Sequence, residues 1–109
     1  MSEPIISEND LNLRLAAGKP LFVLFYSQWC PYCVSFLPVF EDSAKTAPGS
    51  FLRACIDNMP DAENRYMIDV VPTVLYFRGG EVAARLDGTP AIGLTGARLN
   101  AFIASRGLP

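Results

Sequence analysis

The sequence predicts an α/β fold built around two parallel strands. Residues 21–26 form an apolar run with the length and composition of a buried strand. Residues 34–44 carry apolar side chains at helical spacing, and residues 51–56 form a second apolar run of strand length. A strand, a helix and a strand in this order predict a right-handed βαβ unit, in which the two strands run parallel.

The composition predicts one globular domain spanning residues 1–109. Hydrophobic residues make up 50% of the chain and charged residues 18%, which favours a compact core over disorder. The net charge of −2 and the scattered basic residues argue against a nucleic-acid partner. No apolar run approaches the roughly 20 residues that span a bilayer, so no membrane association is expected. The first residues lack the features of a secretory signal, and we therefore expect a cytoplasmic monomer.

The segments before the first buried strand predict a short strand and a helix. Ile5 and Ile6 are expected to form the strand. Ser7 is then suited to cap a helix, and Gly18 is suited to end it. This helix would precede the βαβ unit and pack against its sheet.

The second half of the chain predicts a helix and a hairpin. Residues 60–66 are expected to form a short helix, and residues 74–77 a strand. Gly79 and Gly80 have the character of a two-residue turn that leads into a last strand at residues 81–86.

A loop and a final helix complete the predicted order of elements. Residues 87–93 contain several glycines and a proline and are expected to form the loop. Thr95 is suited to cap the final helix, with Gly107 at its end.

Two cysteines separated by two residues stand at the junction between the first buried strand and the following helix. Amides at the start of a helix favour negative charge, so Cys30 is expected to be the attacking thiolate. Cys33 lies one turn further in and would be more shielded, which suits a resolving thiol. Pro31 fits the first helical turn. The sequence thus predicts a redox-active Cys30–Cys33 pair that needs no other cofactor.

The same pair has two other interpretations, half of a tetrathiolate metal site or two core cysteines. The chain has no histidine and only one further cysteine, Cys55, so a closed metal site lacks ligands. Cys55 itself is expected to be buried and inert. Trp29 is either a core residue or a cover at the rim of the site, and Asp57 is most simply a turn residue.

Residues 29–33, Trp-Cys-Pro-Tyr-Cys, resemble the Trp-Cys-x-x-Cys site of the thioredoxin family. Pro38, the segment Val71-Pro72-Thr73 and Gly88 fall at the spacing of that family, and the match covers nearly the whole chain. The resemblance implies a thioredoxin fold, with a central mixed sheet of about five strands and helices on both faces.

The resemblance also implies how substrate would bind. From the residues alone, Pro72 is expected to be a trans loop proline. The family instead implies a cis Val71–Pro72 bond against the cysteines and strand pairing of substrate with the Val71 backbone. Residues implied to bind substrate are Trp29, Pro31, Tyr32, Val71, Pro72 and Gly88. The implied partners are protein disulfides and a thioredoxin reductase-type flavoprotein or another dithiol donor.

The sequence departs from the family in three places. Leu24 stands where a buried acid is expected, opposite a basic position occupied by Arg53. The pair Pro31-Tyr32 is typical of glutaredoxins, and the loop at residues 87–94 is longer than usual. We therefore predict a thiol-disulfide oxidoreductase whose resolving thiol is activated differently. The alternatives are a glutathione-dependent, glutaredoxin-like enzyme and a non-catalytic binding module.

Overall fold

The computed structural model describes residues 2–106. These residues form nine helices and strands, numbered in chain order: β1 Glu3–Ile5, α1 Glu8–Ala16, β2 Leu21–Tyr26, α2 Pro31–Ala44, β3 Phe51–Cys55, α3 Pro60–Arg65, β4 Thr73–Arg78, β5 Glu81–Asp87 and α4 Gly96–Ser105. The predicted helix end at Gly107 lies outside the described residues. None of the helices from residue 2 to residue 106 is long and apolar enough to cross a membrane.

The five strands form one mixed sheet in the order β1-β3-β2-β4-β5. Strands β1 and β2 pair with β3 in parallel, which confirms the predicted βαβ unit. Strands β4 and β5 are antiparallel to their neighbours. The turn between them contains Gly79 and Gly80, both with positive φ, a conformation that glycine adopts without a steric penalty.

Strand β2 is buried on both faces of the sheet and anchors two layers of core. Leu21, Val23 and Phe25 pack on the face covered by α1 and α3. Phe22 and Leu24 pack on the opposite face, with apolar side chains of α2 and α4. Because side chains alternate along a strand, the continuous apolar run serves both layers. Helices on both faces are thus confirmed.

The ends of the elements differ slightly from the predicted ones. Ile6 is exposed and lies outside β1, because the chain turns there into the cap of α1, where Ser7 Oγ accepts from Asp10 N at 3.0 Å. Ile56 belongs to a 3₁₀ turn, Ile56–Asn58, that follows β3. Thr95 caps α4 as predicted, its Oγ1 accepting from Arg98 N at 3.2 Å.

Candidate active site

Cys30 occupies the N-cap of α2, directly after the loop that leaves β2. Its carbonyl accepts hydrogen bonds from Cys33 N and Val34 N, both at 3.1 Å. Pro31 is the first helical residue, and the Cys30 side chain makes no capping hydrogen bond. The amide dipoles of the first turn are therefore available to stabilise negative charge at Cys30 Sγ.

The two thiols differ in exposure as the sequence predicts. Cys30 is partly exposed, whereas Cys33 is 2% exposed. Ser27 N donates to Cys33 Sγ at 3.5 Å. Burial raises the pKa of Cys33 to about 12, and the neighbouring Cys30 thiol acts in the same direction. The buried thiol is thus protonated at neutral pH and out of reach of a bulky partner.

The segment before β4 lies against the dithiol. The Val71–Pro72 bond is cis, so the trans bond expected from the residues alone is wrong and the form implied by the family is confirmed. Cys30 Sγ lies 3.8 Å from Val71 O. Within residues 2–106, no backbone carbonyl accepts from Val71 N–H. Val71 therefore has backbone groups for pairing with an extended segment beside the exposed thiol.

Gly88 packs against the segment that contains Val71 and Pro72. A Cβ atom on Gly88 would lie 2.4 Å from Pro72 O, closer than any side chain tolerates. The hydroxyl of buried Thr73 supports the same contact, since it donates to Val70 O at 2.6 Å and lies 3.5 Å from Gly88 N. Glycine at this position thus lets the end of β5 pack directly on the cis proline.

Trp29 and Tyr32 border the exposed thiol. Trp29 is 84% exposed, which excludes the core interpretation and agrees with a position at the rim. Tyr32 is 41% exposed, and Pro31 is also exposed. Apolar and aromatic surface therefore surrounds Cys30.

The carboxylate of Asp57 holds the loop between β2 and α2, a contact that sequence reasoning missed. Ser27 Oγ donates to Asp57 Oδ1 at 2.9 Å, and Gln28 N donates to Oδ2 at 3.1 Å. Trp29 N in turn donates to Ser27 Oγ at 3.3 Å. The Ser27 hydroxyl and then the Gln28 amide lower the pKa of Asp57. The sequence offered one signal for this contact. Two parallel strands were predicted, and the residues that follow parallel strands meet at one edge of the sheet.

Leu24 places an apolar side chain where the family pattern has a buried acid. Its side chain is fully buried in the apolar layer with α2, and it pairs in register with Arg53. The Arg53 guanidinium donates to Ser2 O at 2.6 Å and lies 3.8 Å from Glu41 Oε1. The basic partner expected for a buried acid is thus engaged with Ser2, just before β1, and with Glu41 of α2 instead.

An open cleft of about 360 Å³ lies beside Cys33, which is large enough for several water molecules. Its lining residues are Tyr26, Ser27, Gln28, Cys33, Val34 and Leu37. Cys55 is buried as predicted, its Sγ 3.4 Å from Asp57 Oδ2, and burial raises its pKa. Among residues 2–106, no three side chains of the metal-binding types form a group that would hold an ion.

The site combines three features: a partly exposed thiol at the start of a helix, a buried thiol one turn further in, and a cis proline beside them. Together they define a dithiol site on the mixed sheet of an α/β fold. The thioredoxin family model matches residues 4–104. A thioredoxin from Acidithiobacillus ferridurans is 31% identical over 111 residues, covering 97% of this chain and 99% of that protein. The chain therefore belongs to the thioredoxin family. The fold and the names of its relatives support a thiol-disulfide oxidoreductase in general terms.

Two further comparisons give a relative that is matched over part of its length and a solved structure. Human glutaredoxin-3 is 37% identical over 84 residues, which cover 76% of this chain and 25% of that protein. The chain thus spans about a quarter of the length of that relative. The solved structure of a Malassezia sympodialis thioredoxin superposes with a TM-score of 0.85 at 22% identity, covering 99% of this chain and 92% of that one. At this identity the superposition supports the fold alone.

Proposed function

We propose that the protein exchanges its Cys30–Cys33 dithiol with disulfides of other proteins. One observation carries the proposal. The more exposed thiol occupies a helix N-cap beside Val71, whose N–H has no backbone partner within residues 2–106, and a buried second thiol lies one helical turn away. A nucleophile, a docking edge and a resolving thiol are the parts that thiol-disulfide exchange needs.

The first step is attack by Cys30. Its thiolate, favoured by the amides of α2, attacks one sulfur of the substrate disulfide. A Cys30–substrate disulfide forms and the other substrate sulfur leaves as a thiolate, which takes up a proton. We propose that the substrate segment pairs with Val71 beside Pro72 and Gly88, and contacts Trp29 and the exposed residues of the motif.

The second step is resolution by Cys33. The Cys33 thiol loses its proton to solvent through the adjacent cleft and attacks Cys30 Sγ. The second substrate sulfur leaves and is protonated, and a Cys30–Cys33 disulfide remains. Two electrons have then passed from the protein to the substrate, and a donor must return them.

We propose a thioredoxin reductase-type flavoprotein or another dithiol donor as the source of those electrons. The odd number of cysteines, with Cys55 unpaired, fits a compartment where thiols are kept reduced, and we propose the cytoplasm. Reduction by glutathione is the second candidate. The pair Pro31-Tyr32, which is typical of glutaredoxins, favours it.

Reduction of insulin disulfides tests the proposal. The wild type and Cys55→Ser should both turn over insulin, whereas Cys30→Ser should be inactive because the attacking thiol is gone. Equal activity in Cys30→Ser and the wild type would contradict attack by Cys30, and no activity in the wild type would favour a non-catalytic binding module. Replacing thioredoxin reductase by glutathione and glutathione reductase as the electron source then distinguishes the two donors.

A further inference from the structure

The chain between β5 and α4 forms a closed turn, residues 89–93. Thr89 N donates to Gly93 O at 3.0 Å, and Gly93 N donates to Thr89 O at 2.7 Å. Ile92 N also donates to Thr89 O, at 3.0 Å. These five residues are therefore held in a hydrogen-bonded shape.

Arg98 fastens this turn to the start of α4. Its Nη1 donates to Thr89 Oγ1 and its Nη2 donates to Asp87 O, both at 3.0 Å. One guanidinium thus bridges the turn and the last residue of β5. The position of the turn is consequently set by the body of the protein.

The turn contacts the candidate active site at both of its ends. Gly88, just before it, packs on the carbonyl of Pro72. Gly93, at its end, has φ +84 and lies so close to Tyr32 that an added Cβ would be 2.9 Å from Tyr32 Cβ. The turn therefore extends from the cis proline to the dipeptide within the Cys30–Cys33 motif.

The residue that the turn presents is apolar and exposed. Ile92 is 66% exposed and adjoins Gly93, which touches Tyr32, itself 41% exposed. The charges closest in the chain are already used, since Asp87 pairs with Arg85 at 2.8 Å and Arg98 binds the turn. An isoleucine so exposed contributes little to the core, and its neighbour Gly93 contacts Tyr32 of the motif, which suggests a role in recognition.

We propose that the turn at residues 89–93 is a substrate-contacting rim in which Ile92 binds an apolar side chain next to the reacting cysteine of a protein disulfide. This inference rests on the proposed function and deepens it. The occupant is the substrate segment, because Gly93 fixes the turn on Tyr32 within the Cys30–Cys33 motif and the uncharged side chains of the turn offer nothing to an ionic group. A substrate with a small polar residue at that point would lose this contact.

Two peptide dimers, each joined by one disulfide, test the inference. One has Leu and the other has Ser on both sides of the cysteine. The preference is the ratio of kcat/KM for the Leu dimer to that for the Ser dimer, measured for the wild type, for Ile92→Ser and for Leu13→Ser. Leu13 is the matched control, an aliphatic residue that is 64% exposed on α1. Because the ratio is taken within each variant, differences between the variants in the fraction of active protein cancel.

The wild type should prefer the Leu dimer roughly fivefold to tenfold, the effect of one or two buried methylene-sized groups. Leu13→Ser should keep this preference and Ile92→Ser should lose most of it. A wild type without preference, or an Ile92→Ser variant that retains it, would overturn the inference while reduction of the Ser dimer still supports the proposed function. Failure of the wild type to reduce either dimer would instead overturn both.

Discussion

At the scale of single residues, the surroundings of Cys33 govern how the dithiol works. Burial keeps this thiol protonated, and Leu24 contributes apolar surface where the family pattern has an acid. In the proposed mechanism, the proton of Cys33 leaves through the cleft beside it, which has space for water. We therefore expect resolution of the mixed disulfide to be the step most sensitive to substitution at position 24.

Leu24→Asp is expected to speed resolution and to destabilise the fold. A carboxylate would provide a local acceptor for the Cys33 proton, but burying it costs several kcal/mol. An aromatic disulfide with a coloured leaving thiolate reports both steps, since one thiolate is released by Cys30 and a second by Cys33. The second phase should accelerate at pH 7 in the variant. Leu24→Asn is the control of similar size without charge, and equal rates in the two variants would show that the missing carboxylate is irrelevant.

The rate of resolution should rise about tenfold per pH unit from pH 6 to pH 9. With the pKa of Cys33 at about 12, roughly one thiol in 100,000 is ionised at pH 7. Burial is the first cause of the raised pKa and persists while Cys30 is bound to substrate. The second phase of the same stopped-flow experiment measures this rate. A plateau below pH 9 would contradict a strongly raised pKa.

The raised pKa of Cys33 makes the rate of resolution rise with pH, but it makes the stability of the fold fall with pH. A thiol that is harder to ionise in the folded protein stabilises the fold at low pH, and this contribution is lost as pH rises from the unfolded value toward 12. The reduced wild type should therefore lose stability above about pH 9. Chemical denaturation of the wild type and Cys33→Ser as a function of pH measures the effect, and parallel curves would contradict it.

At the scale of elements, two loops that follow parallel strands are fastened to each other. The 3₁₀ turn after β3 supplies Asp57, which binds Ser27 and Gln28 in the loop after β2. The loop after β2 leads directly to Cys30. The position of the Cys30 thiol thus depends on Asp57, which is distant from it in the chain.

Asp57→Asn should lower thermal stability at neutral pH and slow attack by Cys30, because the loop before α2 loses a charged acceptor. The pKa of Asp57 is lowered, so its stabilising contribution is present above about pH 4 and is lost as pH falls through the folded value. The unfolding temperatures of the wild type and the variant should therefore converge in acid. Asp42→Asn, an exposed carboxylate on α2, is the control, and an equal effect there would contradict this role.

Gly88→Ala is expected to destabilise the protein by about 1–3 kcal/mol, the usual effect of an extra methyl group in a tight contact. The methyl group would collide with Pro72 O and force the segment before β4 to move. Denaturant unfolding measures the loss, and insulin reduction should fall with it. Gly96→Ala is the comparison, because a Cβ there would meet only the Val39 side chain at 3.3 Å. Equal stability of Gly88→Ala and the wild type would refute the contact.

The sequence predicted the elements around the dithiol more fully than the contacts between them. The apolar run of β2 and the capping residues of α1 and α4 act locally, so periodicity and residue type were sufficient. The cis bond at Pro72 depends on packing of β5 against the segment before β4, and only the family resemblance indicated it. Asp57 was assigned to a turn because its partners Ser27 and Gln28 are about thirty residues away in the chain.

At the scale of the whole molecule, the site is assembled after the end of β2, from three segments that are distant in the chain. The start of α2 carries Cys30, the segment before β4 brings Val71, and the turn before α4 reaches Tyr32. Substitution of Pro31-Tyr32 for the family's usual pair changes the dipoles around Cys30. The molecule thus keeps the family framework while the surroundings of its thiols differ.

The reduction potential of the Cys30–Cys33 couple should be less negative than the roughly −270 mV of an ordinary thioredoxin. The pair Pro31-Tyr32 changes the amides and dipoles beside Cys30, and the potential of a dithiol depends on how well its thiolate form is stabilised. Equilibration with a glutathione buffer measures the potential. A Pro31→Gly, Tyr32→Pro double variant, which restores the usual pair, should be more reducing, and equal potentials in the two proteins would contradict the role of the dipeptide.

The most direct test of the central claim is trapping of the mixed disulfide on insulin, read by intact-protein mass spectrometry. Without its resolving thiol, Cys33→Ser should accumulate an adduct of one protein with one insulin chain, which a dithiol reductant removes. Cys30→Ser should give no adduct, and Cys55→Ser should behave as the wild type. An adduct on Cys30→Ser as abundant as on Cys33→Ser, or none on Cys33→Ser, would contradict attack by Cys30 and resolution by Cys33.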